Sequence, residues 1–420
     1  MSDTKINIKP SSFYYSLIIW LGVFVPGHLG SFLLEQAFIA FAVMWAFFIF
    51  ITKNTNSNYF GLSKFSVLAF FLILQLFYIF SYLHAEILFS KSDSGLRDYF
   101  ELARYLIYMV FALFVFFYYP INSKNLAESL IRATLFFSLS ISLIYIFKVP
   151  LLSGFFEDFL YAATRDDLSQ ISTGGRVRFT APFPNPNYLA YFLCISLVYL
   201  LYFSSVKDRS LLILITLYLL FITGSRTGWL VAAFIFIFFQ IAYIKHGLSK
   251  RGKFSSLVLV SFSSAAIVLL LSNNILPSVT RLSELIFAFE SGNISSIESF
   301  AQRIEHNLFI WNSLKDSFIF GLGPSKYSLT TVIDNQYLMW ITRQGIVGIS
   351  IIFTGVLYLF IHMLRFSTNT LQKSGIIIFF IALLLFGMTG AFLNNFRLFL
   401  LTIFFAAVII DNCKKFKKIN

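Results

Sequence analysis

The chain has 420 residues, of which 58% are hydrophobic and only 12% charged, with a net charge of +13. So little polar surface cannot keep a soluble domain of this size in solution, which excludes an ordinary globular enzyme. The two cysteines, Cys194 and Cys413, support neither a disulfide framework nor a thiolate metal site.

Apolar runs near twenty residues recur from end to end, each long enough to cross a hydrocarbon core of roughly 30 Å. In lipid every backbone group must be satisfied within its own segment, so the runs read as helices. The fold class is an all-α polytopic membrane protein of about twelve transmembrane helices. Spans are expected near 13–27, 31–51, 65–83, 103–119, 129–147, 187–204, 210–223, 228–244, 254–272, 337–363, 375–390 and 396–411. Lys5 and Lys9 precede the first apolar stretch as in a signal peptide, but no small-residue cleavage site follows. That stretch therefore reads as a retained first helix.

The organisation follows: residues 1–147 hold helices 1–5, 148–186 a first outer loop, and 187–272 helices 6–9. Residues 273–336 form a second outer loop, and 337–420 hold helices 10–12 and a basic tail. Placing both termini inside puts eighteen basic residues but only four acids on the inner face, as the positive-inside rule requires. The inner set is mostly lysine, whereas ten of the fourteen outer basic residues are arginine. Arginine offers a planar fork for phosphate or carboxylate oxygens, so the outer face points to an anionic ligand. Ordinary salt bridges with the outer acids are the alternative.

Within the first outer loop, Gly174-Gly175-Arg176-Val177-Arg178 leads into Asn185-Pro186-Asn187. Asn185 and Pro186 suit the N-cap and first position of the next helix. That leaves Arg176, Arg178 and Asn187 as candidate substrate-binding residues. Residues 211–244 must then cross the membrane twice, slightly too few for two full crossings. The tip Thr223-Gly224-Ser225-Arg226-Thr227-Gly228 is thereby held at or just below the headgroups, where an unpaired charge is costly. Arg226 and Ser225 are candidates for a ligand diphosphate, and snorkelling of Arg226 to phospholipid is the alternative.

Loops as long as 273–336 are usually functional. Val279, Leu282, Leu285, Ile286 and Phe289 make one apolar stripe, and Ser295 and Glu298 have capping-box spacing ahead of a second helix. That helix carries Ile297, Phe300, Ile304, Leu308 and Trp311 on its apolar side, with Arg303, His306 and Asn307 on its polar face. The picture is of short amphipathic helices lying over the bundle like a lid, ended by Gly321-Leu322-Gly323-Pro324. Where the chain re-enters the membrane stands Asp334-Asn335-Gln336-Tyr337-Leu338, followed by Arg343-Gln344-Gly345-Ile346-Val347-Gly348. Asp334 is either a general base, if desolvation raises its pKa, or the N-cap of the tenth span.

The order GRVRFTAPFPNPNYLAYFL, TGSRTGWL, RIEHNLFIWNSL, FGLGPSKY and DNQYLMWITRQGIVGI resembles the O-antigen ligase and polymerase superfamily, over roughly residues 170–350. The resemblance implies a GT-C-like glycosyltransferase that needs neither metal nor cofactor and uses undecaprenyl-diphosphate-linked oligosaccharides in the bacterial inner membrane. It implies that Arg178, Arg226 and Arg303 bind the diphosphate. It also implies that a residue just before the re-entering helix, here Asp334 with Asn335 and Tyr337 beside it, engages the acceptor hydroxyl. His306 is a reserve catalytic candidate. Ligases of this family carry a histidine in an HN-type motif where this chain has Asp334, which resembles the Wzy-like repeat-unit polymerases instead. The expected partners are the lipid-linked glycans, membrane lipid and, as a candidate, a chain-length regulator; nucleic acid is not among them. A ligase is the nearest rival, and a transporter or flippase the rival from another class.

Overall fold

In a computed structural model of the chain, the residues described are 10–25, 39–42, 44–45, 62–89, 101–117, 123–146, 179–183, 185–245, 298–315, 317–324, 333 and 335–419. Among them there are helices and turns but no strand, as a backbone that must satisfy itself in hydrocarbon requires. The helices are α1 (Pro10–Phe24), α2 (Lys64–Phe89), α3 (Arg104–Phe117), α4 (Ser123–Ile146), α5 (Pro186–Tyr202) and α6 (Arg209–Ile222). They continue with α7 (Arg226–Lys245), α8 (Glu298–Ser313), α9 (Gln336–Phe366), α10 (Thr370–Gly387) and α11 (Phe396–Ile419), with a 3-10 turn at Phe392–Asn394. Five are long and apolar enough to cross a membrane: α2, α4, α9, α10 and α11. Each expected span falls on one described helix except 31–51, which lies largely outside the described residues, and 254–272, which lies wholly outside them.

The centre of the bundle is α11, whose Leu398–Ile410 stretch is almost wholly buried, together with α5. Rings fill the spaces between helices: Tyr15 stacks on Phe114 at 4.9 Å, Tyr108 on Phe399 at 4.0 Å and Tyr191 on Phe392 at 5.3 Å. Conversely α2 and α9 expose long apolar stripes, including Ile73, Leu76, Phe80, Phe353, Leu357 and Ile361. Exposed apolar stripes on helices of this length are what a lipid surrounding calls for.

Contacts sort the helix ends into two groups. At one end Arg132 makes a two-pronged pair with Asp208, both bonds 2.8 Å long, and Lys124 donates to Ser205. The Arg132 guanidinium holds the Asp208 carboxyl below its ordinary range. Lys414 lies over the Phe366 ring at the same end, so the lysine-rich connections gather there. The opposite end, the arginine end, holds the start of α3, the α6–α7 tip, the start of α9 and the α10–α11 connection.

α9 is not one continuous helix. Gly345 sits at φ +61°, ψ −169°, which breaks the ladder nine residues in. The backbone groups at this break are taken up by segment 317–323. Leu322 and Gly323 N–H donate to the Thr342 and Arg343 carbonyls at 2.7 and 2.9 Å, and Ile346 and Val347 N–H donate to Phe318 and Ile319 at 2.9 and 3.3 Å. Gly321 and Gly323 also have positive φ, and a Cβ on Gly323 would fall 2.7 Å from the Tyr82 backbone. The Gly-Leu-Gly motif is therefore the part of the chain that can lie this close to the broken helix.

A Cβ on Gly345 would lie 2.1 Å from the Ile319 carbonyl oxygen, so Gly345→Ala should cost at least about 2 kcal/mol. Exposed Ser350→Ala should stay within about 0.5 kcal/mol. Thermal unfolding in detergent, followed by size-exclusion, checks both; equal midpoints would show that the break tolerates a side chain.

Candidate active site

The α6–α7 tip is a tight, buried turn. Gly224 takes φ +60°, Thr223 Oγ1 donates to the Leu220 carbonyl at 2.7 Å, and Ser225 Oγ accepts the Gly228 N–H at 3.2 Å. Ser225 is thus the N-cap of α7, fully buried, and that local role accounts for a serine at this position. α6 has 14 residues, about 21 Å of helix, so the hairpin is as short as its sequence implies. Arg226 follows as the first residue of α7, partly buried. There the positive end of the helix dipole adds to its own charge, a setting that favours an anion.

Two neighbours fix the tip. Phe179 N–H donates to the Ile222 carbonyl at 3.3 Å, which carries the backbone just after Arg178 to within four residues of Arg226. Thr227 Oγ1 donates to Thr389 Oγ1 at 2.9 Å, joining the tip to the α10–α11 connection. Arg176 and Arg178 lie outside the described residues. Asn185 caps α5 as expected, accepting the Asn187 N–H at 2.8 Å with Pro186 at the first position. Asn187 stands half-buried in that first turn.

At the start of α9 the capping residue is Asn335, whose Oδ1 accepts the Tyr337 and Leu338 N–H groups at 2.9 and 3.0 Å. This corrects the alternative that Asp334 caps this helix. Asp334 lies outside the described residues, and the cap is filled without it. The Tyr337 hydroxyl donates to the Leu384 carbonyl at 2.7 Å, so Asn335 and Tyr337 both have structural tasks. Gln336 is fully buried, and among the described residues neither its Oε1 nor its Nε2 finds a hydrogen-bond partner.

Eight residues beyond this cap, at Arg343, lies a charge cluster that the sequence reading did not identify. Glu101 Oε2 accepts from Arg104 Nε at 2.7 Å and from Arg343 Nη1 at 3.2 Å. Arg104 also donates to the Tyr108 hydroxyl at 2.9 Å and to the Asn394 carbonyl, and lies over the Phe396 ring. Arg343 reaches Asn394 Oδ1 at 3.3 Å, and Tyr108 donates to the Leu393 carbonyl at 2.6 Å. Both arginines are buried. One carboxylate between two guanidiniums leaves a net positive charge here. Arg397, also buried, donates to the Gly22 and Val23 carbonyls at 2.9 and 2.6 Å, capping the end of α1. Part of the arginine excess at this end is therefore structural. The available signals were the spacing of Glu101 and Arg104 and the arginine before Gln344-Gly345.

α8 packs on α9 at the same end. Among its described side chains Ile310 is buried, and with Leu314 it joins Leu322, Ile333, Leu338 and Met339 in a small second core. Ile304, Leu308 and Trp311 are exposed, so the apolar stripe of the expected lid does not face the bundle. Arg303 lies seven residues before Ile310, and Asn307 seven before Leu314. By helical register those two positions share the bundle-facing side. His306 belongs to the same helix; the side chains of Arg303 and His306 lie outside the description.

Residues 211–353 match the family model described as O-Antigen ligase, and no curated protein matches the chain significantly. The match runs from the short hairpin past the break in α9. It bears out the O-antigen ligase/polymerase superfamily for that stretch.

Glu101→Gln would leave two buried guanidiniums without their carboxylate, and should cost about 3 kcal/mol. Adding Arg343→Met should recover part of it; full additivity in the thermal midpoints would mean the three groups do not act together. Asn335→Ala should lose about 1 kcal/mol of helix capping, whereas Asn335→Asp keeps it.

Proposed function

We propose that this protein is a surface-polysaccharide polymerase of the bacterial inner membrane. It transfers a growing glycan from undecaprenyl diphosphate to a hydroxyl of a newly delivered lipid-linked repeat unit, at the outer face. The observation that carries this reading is that the family match spans the arginine tip, α8 and the re-entry into α9. The first and last of these are both tied to the C-terminal end of α10, by Thr227–Thr389 just after it and Tyr337–Leu384 within it.

In this reading the bond between the sugar anomeric carbon and the diphosphate oxygen breaks while the acceptor hydroxyl attacks that carbon. Arg226, with Arg303 and Arg178, holds the diphosphate and stabilises the charge that develops on it as it leaves. Asp334 orients the acceptor hydroxyl and takes its proton, with His306 in reserve. Arg176, Asn187, Ser225, Asn335 and Tyr337 shape the surrounding pocket. The diphosphate donor is already activated, so the scheme needs no nucleotide, and a chain-length regulator would act from outside it. The matching family model, described as O-Antigen ligase, favours a second reading, a ligase with the same donor and a lipid A-core acceptor.

A strain that carries O-antigen and lacks this gene separates the two. A lipopolysaccharide ladder collapsed to core plus one repeat unit identifies the polymerase; bare core with accumulated lipid-linked polymer identifies the ligase. An unchanged ladder would overturn both for this glycan. In the complemented strain, Arg226→Ala and Asp334→Asn should each lower polymer about 100-fold or more at unchanged protein level. Normal polymer from either variant would remove that residue from the mechanism.

A further inference from the structure

α8 is amphipathic in a sense opposite to that of a helix folded onto a protein core. Its bundle side holds Ile310 and, just past its end, Leu314. Its outward side holds Ile304, Leu308 and Trp311, each more than two-fifths exposed. These three are spaced i, i+4, i+7 and form a single row along the helix. Glu305 and Asn312, both exposed, border that row on one flank.

The height of this row follows from α9. After the break at Gly345, Ile346–Phe366 is about 31 Å of helix, which matches the hydrocarbon thickness. Between Gln336 and Gly345 no residue is exposed. From Ile346 onward an exposed stripe runs through Phe353, Leu357, Tyr358 and Ile361. The break therefore marks the point where the helix leaves the protein interior and turns an exposed apolar stripe outward. Segment 317–323 is bonded to that point, and Ile319, at 55% exposure, extends the stripe beside Ile346. α8 ends four residues before Ser317, so its C-terminal turn is held at the same height.

We infer that α8 is an interfacial helix, with Ile304, Leu308 and Trp311 lying in the bilayer leaflet at the arginine end and Glu305 and Asn312 at the headgroups. A tryptophan at the headgroup boundary suits this placement. The energy comes from apolar area removed from water at a depth of about 5–10 Å. In consequence the positions of Arg303 and Asn307 are presented towards the bundle from the membrane surface. The inference rests on the membrane reading of the fold and is independent of glycan transfer.

Leu308→Cys, Trp311→Cys, Glu305→Cys and Asn312→Cys variants of the full chain would be spin-labelled in nanodiscs of zwitterionic and anionic phospholipid. Cys194 and Cys413 are buried and stay unlabelled. Oxygen and nickel-chelate accessibilities then report depth. Labels at 308 and 311 should be several-fold richer in oxygen contact, about 5 Å or more below the phosphates, with labels at 305 and 312 open to nickel. Equal nickel access at all four positions would put α8 in water and overturn the inference. Exclusion of both reagents at 308, or label-to-label broadening at 308, would overturn it too, in favour of a partner protein or a second copy on this face. Size-exclusion profiles identify any variant that fails to fold, and Leu308→Cys alone suffices if Trp311→Cys does.

Discussion

The break at Gly345 places a demand on everything around it, because an unsatisfied backbone group in hydrocarbon costs several kcal/mol. Two carbonyls before the break and two amides after it need partners, and Phe318, Ile319, Leu322 and Gly323 supply them. The loop that follows α8 is thereby locked to a fixed height on α9, and so is the α9 start that carries Asn335 and Tyr337. Three positive-φ glycines, Gly321, Gly323 and Gly345, make the close approach sterically possible. A side chain at Gly345 would meet backbone rather than a movable group.

The second organising element is the connection from α10 to α11. Together with the helix ends beside it, this connection touches the hairpin tip through Thr389, α9 through Leu384 of α10 and Asn394, α3 through Leu393 and Asn394, and α1 through Arg397 of α11. The Glu101 carboxylate stands where α3, α9 and this connection meet. A buried charge group of this kind adds little net stability over an apolar equivalent, but it discriminates strongly against arrangements that leave one member unpaired. Its effect is to fix where the arginine end of each helix lies.

The proposed chemistry depends on this rigidity. A leaving diphosphate gains most from cations that are already in place when its charge develops. Arg226 is held at a capped helix start, on a hairpin too short to slide outward. Arginines 104, 343 and 397 are engaged with the protein itself, and their burial concentrates positive charge at the same end.

The sequence by itself determined the membrane class and the position of most of the described helices, because a twenty-residue apolar run has one stable conformation in lipid. It also determined the Asn185-Pro186 helix start and the shortness of the 211–244 hairpin, since capping chemistry and rise per residue are local. The break in α9 was not readable: glycines within an apolar run are compatible with an unbroken helix, and only the docking of 317–323 forces Gly345 to positive φ. Spacing offered Asp334 as the cap of α9, and backbone geometry gave that place to Asn335. The outward stripe of α8 was hidden for a different reason. Periodicity shows that a helix has an apolar face but does not say whether protein or lipid covers it. Only the packing of Ile310 and Leu314 on α9 decides which side turns in. The Glu101 cluster joins residues some 240 positions apart in the chain, a distance over which tertiary structure alone brings charges into contact.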